Sequence, residues 1–337
     1  MSKRKINDQQ RRRIQAQRER SRSAKSEQAS NEALGGTELG EEQHGVIAAR
    51  FGAQVIVEGR DGSHAGLRQR CHLRTHLNHL VCGDRVVWRP GAEQGVVMAD
   101  LPRSSVLERP DSRGLLRPMA ANIDRMVVVI APQPEPFANL IDRYLVVAET
   151  AGITPILLLN KQDLLGDAED PVRQLLARYD ALGYTTLTLS SHDGRGLPAL
   201  HEALRDHTAV VTGQSGVGKS SLLNALLGSD AARIGALSEG TEKGRHTTSM
   251  TELFHLPGGG QLIDSPGIRE FGLGHITPAQ LLDGFIEFAP YLGHCRFRDC
   301  SHTVEPGCAI LEAEAAGRLM PERLESYRMI LNSLDQP

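Results

Sequence analysis

The segment GQSGVGKS, Gly213 through Ser220, follows the apolar run AVVT and satisfies the spacing G-x-x-x-x-G-K-[S/T]. Its glycines let the backbone curl until successive N–H groups point at one phosphate, and a helix opening near Lys219 adds the positive end of its dipole. Lys219 is then placed to bridge the β- and γ-phosphates of a nucleoside triphosphate, and the Ser220 hydroxyl to ligate Mg2+. Gln214, Ser215, Gly216, Val217, Gly218 and Ser221 complete the lining. Leu222, Leu223, Leu226 and Leu227 make one apolar stripe closed by Gly228, so the residues that follow supply the helix.

Asn160-Lys161-Gln162-Asp163 ends the apolar run PILLL. A carboxylate there accepts two hydrogen bonds from guanine, one from the ring N–H and one from the exocyclic amine; adenine offers no such pair. Against adenine a buried Asp163 is left unsatisfied, a mismatch that supports large discrimination factors. Asn160 is expected on the N7 side of the purine and as a tie between loops, with the stem of Lys161 over one base face. The loop SSHDGRGL brings Ser190 and Ser191. It resembles the SAK-type loop of guanine-nucleotide-binding proteins, where the residue aligned with Ser191 meets the guanine oxygen through its backbone N–H. GTP and GDP, with Mg2+, are the expected ligands.

Asp264 to Gly267, DSPG, follows the run QLI and resembles the DxxG element. Asp264 is expected to hold Mg2+ through water, and the Gly267 N–H to reach the γ-phosphate. Residues 229–249 are Gly/Ser/Thr-rich and too long for an ordinary connection. They contain GRHTTS, in which Thr247 or Thr248, with Thr248 favoured, supplies the threonine that ligates Mg2+. Release of this loop when the γ-phosphate is lost is the expected conformational signal. His246 is the nearest side chain able to hydrogen-bond an attacking water; the other reading makes it a loop histidine that touches a partner. Lys219, His246, Thr248 and Gly267 form the expected catalytic set.

A second chemistry lies near the C-terminal end. CRFRDCSHTVEPGC holds Cys295, Cys300, His302 and Cys308, three thiols and an imidazole in the composition of a closed tetrahedral zinc site. Full ligation leaves no open position, so one structural Zn2+ is expected, with His294 as a competing ligand. Arg296 and Arg298 make this knuckle a candidate RNA or protein contact.

Several kinds of element must position these groups. MVVVIA, PILLL, TTLTL and AVVTG are apolar runs suited to strands buried on both faces, with helical stretches at about 137–151, 170–182 and 197–206 between them. That is the alternation of a parallel sheet with helices on both sides. Residues 43–105 instead show short β-rich runs broken by turn signals, as in a small barrel or sandwich. Arg68, Arg70, His72, Arg74 and His76 alternate there with Gln69, Cys71, Leu73 and Thr75, which puts five basic groups on one side of a strand. They read as an RNA-facing surface or an ordinary solvated face, with Cys71, Leu73 and Cys82 in the core. Segment 106–122, rich in Arg, Pro and Ser, reads as a linker. Thr277, Pro278 and Gln280 spell a capping box, and a helical tail over 309–333 is interrupted near Gly317 and Pro321.

The whole chain, 337 residues with 40% hydrophobic content and a net charge of −3, has the make-up of a soluble protein of two or three domains. Residues 1–25 carry ten basic side chains against Asp8 and Glu19, so 1–40 reads as a disordered arm suited to a polyanion, or else as a solubilising tail or targeting peptide. No apolar run reaches the roughly 20 residues of a membrane span. Five cysteines, an odd number with three near the C-terminal end, fit a reducing cytoplasm and one metal site.

The motifs run in the order NKxD, SAK-like, P-loop, HTT, DxxG, whereas Ras-like GTPases begin with the P-loop. With the barrel before them and the knuckle after, they resemble the circularly permuted small-ribosomal-subunit biogenesis GTPases of the RsgA/YjeQ family. NIDR, LLLNKQDLL, GQSGVGKSSLLNAL, GRHTTS, DSPGIREFGL and CRFRDCSHTVEPGCAI carry the resemblance. It implies an OB-fold RNA-binding domain (41–115), a permuted α/β P-loop GTPase domain (116–275) and a C-terminal α-helical zinc-binding domain (276–337). It also implies a cytoplasmic GTPase that binds the 30S subunit and its 16S rRNA late in assembly and is stimulated by that subunit. Other assembly factors are further candidate partners, and a monomer is expected. The alternative is an RNA-binding assembly factor in which nucleotide only sets conformation. Where Ras-like GTPases carry a water-orienting Gln after DxxG, this chain has Ile268, which cannot orient water.

Overall fold

The computed structural model describes residues 39–52, 54–111, 113–167, 169–228, 251–264, 266–269 and 276–334. The basic arm up to residue 38, and His246, Thr247 and Thr248, lie outside the described residues. The chain divides into two compact units between Arg103 and Ser104.

The first unit is a five-stranded OB-like barrel, β1 (Gln43–Phe51), β2 (Gln54–Gly59), β3 (Arg68–Leu73), β4 (Arg85–Arg89) and β5 (Gly95–Asp100). β1 pairs with β2, β2 with β3 and β4 with β5, all antiparallel; β3 runs parallel to β5, and β1–β4 pairing closes the ring. Closure removes the sheet edges and leaves an interior filled by side chains. Ile47, Val57, Cys71, Val86, Trp88 and Val97 are among the side chains that fill it. Cys82 is buried beside the Ala48 carbonyl, which accepts from its thiol at 3.4 Å.

The basic strand follows its expected alternation only in part. Cys71 and Leu73 are buried, Arg68 and Arg70 exposed, and His72 and Arg74 half-buried. The strand stops at Leu73, however, and His76 sits exposed on a 3-10 turn, Thr75–Leu77, that drives Leu77 into the core. The surface is also less purely basic than expected, because Glu58 of β2 pairs with Arg68 at 2.8 Å.

In the second unit, the segment 106–122 expected as a linker is a hairpin, β6 (Val106–Pro110) with β7 (Leu116–Ala121). Its turn is held by Asp111, whose carboxylate accepts from the N–H groups of Arg113 and Leu115, a local cap that needs no apolar pattern. Pro110 and Pro118 are tolerated because a two-stranded ladder is all edge.

A six-stranded sheet follows: β8 (Arg125–Ile130), β9 (Thr154–Leu159), β10 (Thr185–Thr188), β11 (Thr208–Gly213), β12 (Glu252–His255) and β13 (Gln261–Asp264). Its spatial order is β10–β9–β8–β11–β13–β12, parallel throughout except for the antiparallel edge strand β12. The helices include α1 (Ala138–Thr150), α2 (Pro171–Ala181), α3 (Leu197–Leu204), α4 (Lys219–Leu227) and the short α5 (Pro266–Arg269). Val127, Val129, Ala209 and Val211 share a core with Leu200 and Leu204 of α3 and Leu222 and Leu226 of α4. The alternate residues Val128 and Ile130 face α1, with Leu140, Ile141 and Tyr144 lining a shared cavity. From β8 the chain winds outward through β9 to β10. It then returns to lay β11 on the other side of β8. The strand order therefore reverses between β8 and β11, where open α/β sheets bind ligands at the carboxyl ends of their strands.

The C-terminal segment packs on α1 in the same unit. It comprises α6 (Pro278–Asp283), a 3-10 turn over Ile286–Tyr291, α7 (Ala309–Ala315) and α8 (Pro321–Leu334). The Thr277 hydroxyl accepts from the Gln280 N–H at 3.2 Å and the Gln280 side chain accepts from the Thr277 N–H at 3.0 Å, the full capping box. Phe285, Phe288 and Tyr327 form the small core beneath, with ring centroids 5.1 to 5.6 Å apart.

Candidate nucleotide site and metal centre

The phosphate loop leaves β11 at the switch point, and its backbone dictates its glycines. Gly213 has φ +138° and Gly218 φ +94°. A Cβ on Gly213 would lie 2.3 Å from the Val129 carbonyl oxygen, and one on Gly218 2.5 Å from Asn160 Nδ2. Lys219 opens α4 and is buried, its Nζ donating to the Gly213 and Gln214 carbonyls at 2.6 and 2.8 Å. Ser220 and Ser221 are exposed at the helix start.

The NKQD turn meets the phosphate loop through Asn160 and Lys161. Asn160, fully buried at the end of β9, donates from Nδ2 to the Val217 carbonyl at 3.0 Å and accepts on Oδ1 from the Ser191 N–H at 3.0 Å. The tie expected of Asn160 is therefore present. The donor in the second of these bonds is the Ser191 N–H, the group expected at a guanine oxygen. Lys161 adopts a left-handed conformation (φ +59°) and its Nζ donates to the Gln133 and Gly216 carbonyls, both at 2.8 Å. That carries the side chain across to the phosphate loop.

Asp163 lies on a 3-10 turn, Gln162–Leu164, and is exposed rather than buried. Ser190, fully buried, donates its hydroxyl to Asp163 Oδ1 at 2.6 Å. This bond holds the Asp163 carboxyl below the usual carboxylate range, so it stays an ionised, acceptor-only group. Asp264 ends β13 beside β11, Gly267 is half-buried within α5, and Ile268 is buried. An aliphatic, buried Ile268 leaves no polar group at that position to orient water.

The residues that sequence reasoning missed sit in the loop after β8. Gln133 receives Lys161, and Pro134 Cδ lies 3.4 Å from where a Cβ on Gly216 would be. Phe137 and Leu140 share their cavity with Gln214 and Val217 of the phosphate loop. The available signal was the proline-rich stretch APQPEPF, which joins a buried strand to a helix where a plain connection would do.

Cys295, Cys300, His302 and Cys308 bring their ligand atoms within 4.8 Å of one another. His302 Nδ1 lies 3.5 Å from Cys295 Sγ and 3.4 Å from Cys308 Sγ, and the two sulfurs are 3.9 Å apart. Zinc bond lengths and a tetrahedral angle place sulfurs about 3.8 Å apart and nitrogen about 3.5 Å from sulfur, so the residues fit that ion. Burial lowers the His302 pKa, which favours the neutral, ligating imidazole. His294 is exposed and outside the group.

Fold and site together define a P-loop GTPase in which the base-reading strand ends come before the phosphate loop along the chain and beside it in the sheet. The family model described as RsgA GTPase matches residues 100–274. The chain belongs to the RsgA GTPase family and is a GTP-hydrolysing enzyme. It is 58% identical over 318 residues to the small ribosomal subunit biogenesis GTPase RsgA of Azotobacter vinelandii, covering 94% of this chain and 93% of that one. The protein of the same name from Ectopseudomonas mendocina is 56% identical, with 100% and 99% covered. Among solved structures, YjeQ from Thermotoga maritima superposes with a TM-score of 0.72 at 30% identity, covering 88% of this chain and 100% of that one. YloQ, described as a circularly permuted GTPase, gives 0.69 at 27% identity, with 87% and 95% covered.

Proposed function

We propose that this GTPase binds the small (30S) ribosomal subunit as a late checkpoint of its assembly, that the subunit stimulates hydrolysis, and that hydrolysis is coupled to release. The relatives carry small ribosomal subunit biogenesis in their names, and the barrel's Arg68, Arg70, His72 and Arg74 offer basic groups to the phosphates of 16S rRNA. The observation that carries the nucleotide chemistry is Asn160, which joins the phosphate loop to the base loop across the switch point. The protein is proposed to act as a cytoplasmic monomer; among the described residues no helix is long and apolar enough to cross a membrane.

In this reading the guanine lies against Asp163 and itself excludes water from the carboxylate. The N–H groups of the phosphate loop hold the β-phosphate and Lys219 spans the β- and γ-phosphates. Ser220, Asp264 and Thr248 would hold Mg2+, which neutralises charge on the phosphate oxygens. Water attacks the γ-phosphorus, the bond to the β–γ bridging oxygen breaks, and the negative charge left on GDP falls where Lys219 and the loop N–H groups can stabilise it. With Ile268 buried, water is oriented by His246 or by the subunit.

Hydrolysis of GTP and of ATP, each with and without purified 30S subunits, tests the function. The expected result is slow GTP turnover raised by subunits, with ATP inert. Equal rates with and without subunits would remove the checkpoint reading. For His246, a His246→Ala variant is expected to lose about 10- to 100-fold in turnover at unchanged GTP affinity. Unchanged turnover would assign water orientation to the partner instead.

The metal centre is proposed to bind one structural Zn2+. Cys308→Ser should lower zinc content, measured by metal analysis, from about one ion per chain to near none, because structural zinc sites derive much of their folding free energy from the metal. Tyr327, whose hydroxyl donates to the Ser301 carbonyl at 3.2 Å, would report the loosening by fluorescence.

A further inference from the structure

Arg323 of α8 is a buried cation held by carboxylates from two other elements. Its Nη1 donates to Asp142 of α1, and its Nε and Nη2 donate to Glu287 at 2.5 and 3.1 Å. The guanidinium carbon stands 4.4 Å from the centre of the Phe285 ring, and the Tyr179 hydroxyl of α2 donates to Asp142 Oδ1 at 2.6 Å. Burial works against the Arg323 charge, but Asp142 and Glu287 outweigh it and hold the guanidinium above its ordinary pKa. One planar fork thus serves two carboxylates, a geometry lysine cannot copy. Losing either contact leaves a buried charge uncompensated, so α8 has no half-docked state of comparable energy.

The same helix reaches both functional regions of this unit. Toward the metal centre, Tyr327 and Arg328 donate to the Ser301 and Thr303 carbonyls, the residues on either side of the ligand His302. Toward the sheet, Asn139 of α1 donates to the Ser326 carbonyl and hydroxyl at 3.3 and 3.2 Å, and Arg143 to the Ser333 hydroxyl at 2.8 Å. Phe137 and Leu140, at the leading end of α1, line one cavity with Gln214 and Val217 of the phosphate loop, and the preceding Gln133 receives Lys161. Hydrogen bonds and packed side chains therefore run from the metal-binding loop through α8 and α1 to the residues that hold the nucleotide.

We propose that Arg323 is a positioning residue for GTP hydrolysis, locking α8 onto α1 so that contact of the ribosomal subunit with the metal-binding loop is felt at the phosphate loop. The inference rests on the proposed function, because it concerns stimulation by the subunit. A purely structural Arg323 would alter zinc content or basal turnover along with stability. A coupling Arg323 alters the stimulated rate alone.

The experiment uses the full-length, zinc-loaded chain and reads GTP turnover with and without 30S subunits for the unaltered protein, Arg323→Lys and Asn139→Ala. Arg323→Lys is expected to melt at a lower temperature, because one carboxylate loses its partner, yet below that melt to keep basal kcat and KM within about twofold, with unchanged zinc content and subunit affinity. Its stimulated kcat should fall about five- to tenfold, with a smaller fall for Asn139→Ala. Should Arg323→Lys fail to fold, Asn139→Ala and Ser333→Ala, which leave the ion cluster intact, decide the matter. Full stimulation in the folded variants overturns the coupling and leaves the checkpoint standing. An unaltered chain that subunits do not stimulate overturns both, and the two failures are told apart by that control.

Discussion

Replacing Lys219 with alanine is expected to lower GTP turnover by about 10²- to 10³-fold, the usual effect of removing one preorganised charge from a site where negative charge develops. Two features of the structure set that size. The ammonium is buried and held by the Gly213 and Gln214 carbonyls, so its position is fixed before any phosphate arrives. It also opens α4, so alanine, a good helix former, removes the charge without disturbing the helix. Turnover should fall far more than folding stability, and single-turnover hydrolysis with a thermal melt separates the two. The same variant decides between an enzyme and a binding factor in which nucleotide only sets shape. A checkpoint stalls on the subunit without Lys219. A binding factor indifferent to hydrolysis continues to support assembly, and that outcome would remove the enzymatic reading of the task.

How much of this was legible in the sequence depended on how far each feature reaches along the chain. The phosphate loop and the NKQD turn are each complete within a few consecutive residues behind an apolar strand, and the four zinc ligands all lie within residues 295–308. The places of the first two in space then follow from the sheet, because both stand at or just beyond a strand end, whereas the zinc ligands lie between the 3-10 turn Ile286–Tyr291 and α7. The hairpin over 106–121 was hidden because the Asp111 cap holds its turn, and strands rich in arginine and proline leave no alternating pattern. The basic strand was drawn too long because nothing in RTHL marks where the extended backbone gives way to a 3-10 turn. Arg323 was the least legible. Within PERLESYRMI it reads as one more surface charge, and its partner Asp142 lies 181 residues away. Asp142 in turn belongs to a helix whose other charges, Arg143 and Glu149, are half-buried. Buried ion pairs between distant elements have no local signature, and neither do the still longer-range hydrogen bonds from Asn139 and Arg143 to Ser326 and Ser333.

The Asp163→Asn variant is expected to weaken GTP binding by about 10²- to 10⁴-fold while leaving the fold intact. Two charge-assisted hydrogen bonds to guanine are at stake, and asparagine replaces one acceptor oxygen with a donor that opposes the donors of the base. Stability should change little, because Asp163 is exposed on its turn and its bond from Ser190 can be made to the remaining carboxamide oxygen. The sign of the effect reverses for xanthine, which carries an oxygen where guanine carries its amine. The carboxamide N–H introduced by the substitution then meets an acceptor, so xanthosine triphosphate should gain as GTP loses. Competition binding of the two nucleotides reads that crossing. A variant whose affinity for both nucleotides falls equally would show that the loop had been distorted, and that Asp163 does not read the base. A variant that still prefers GTP would assign base recognition elsewhere. The Ser190 bond adds a pH expectation with a definite sign. Because it holds the Asp163 carboxyl below its ordinary pKa, protonation of this group does not weaken guanine binding in mildly acidic buffer, and the loss appears only as pH falls past the usual carboxylate range.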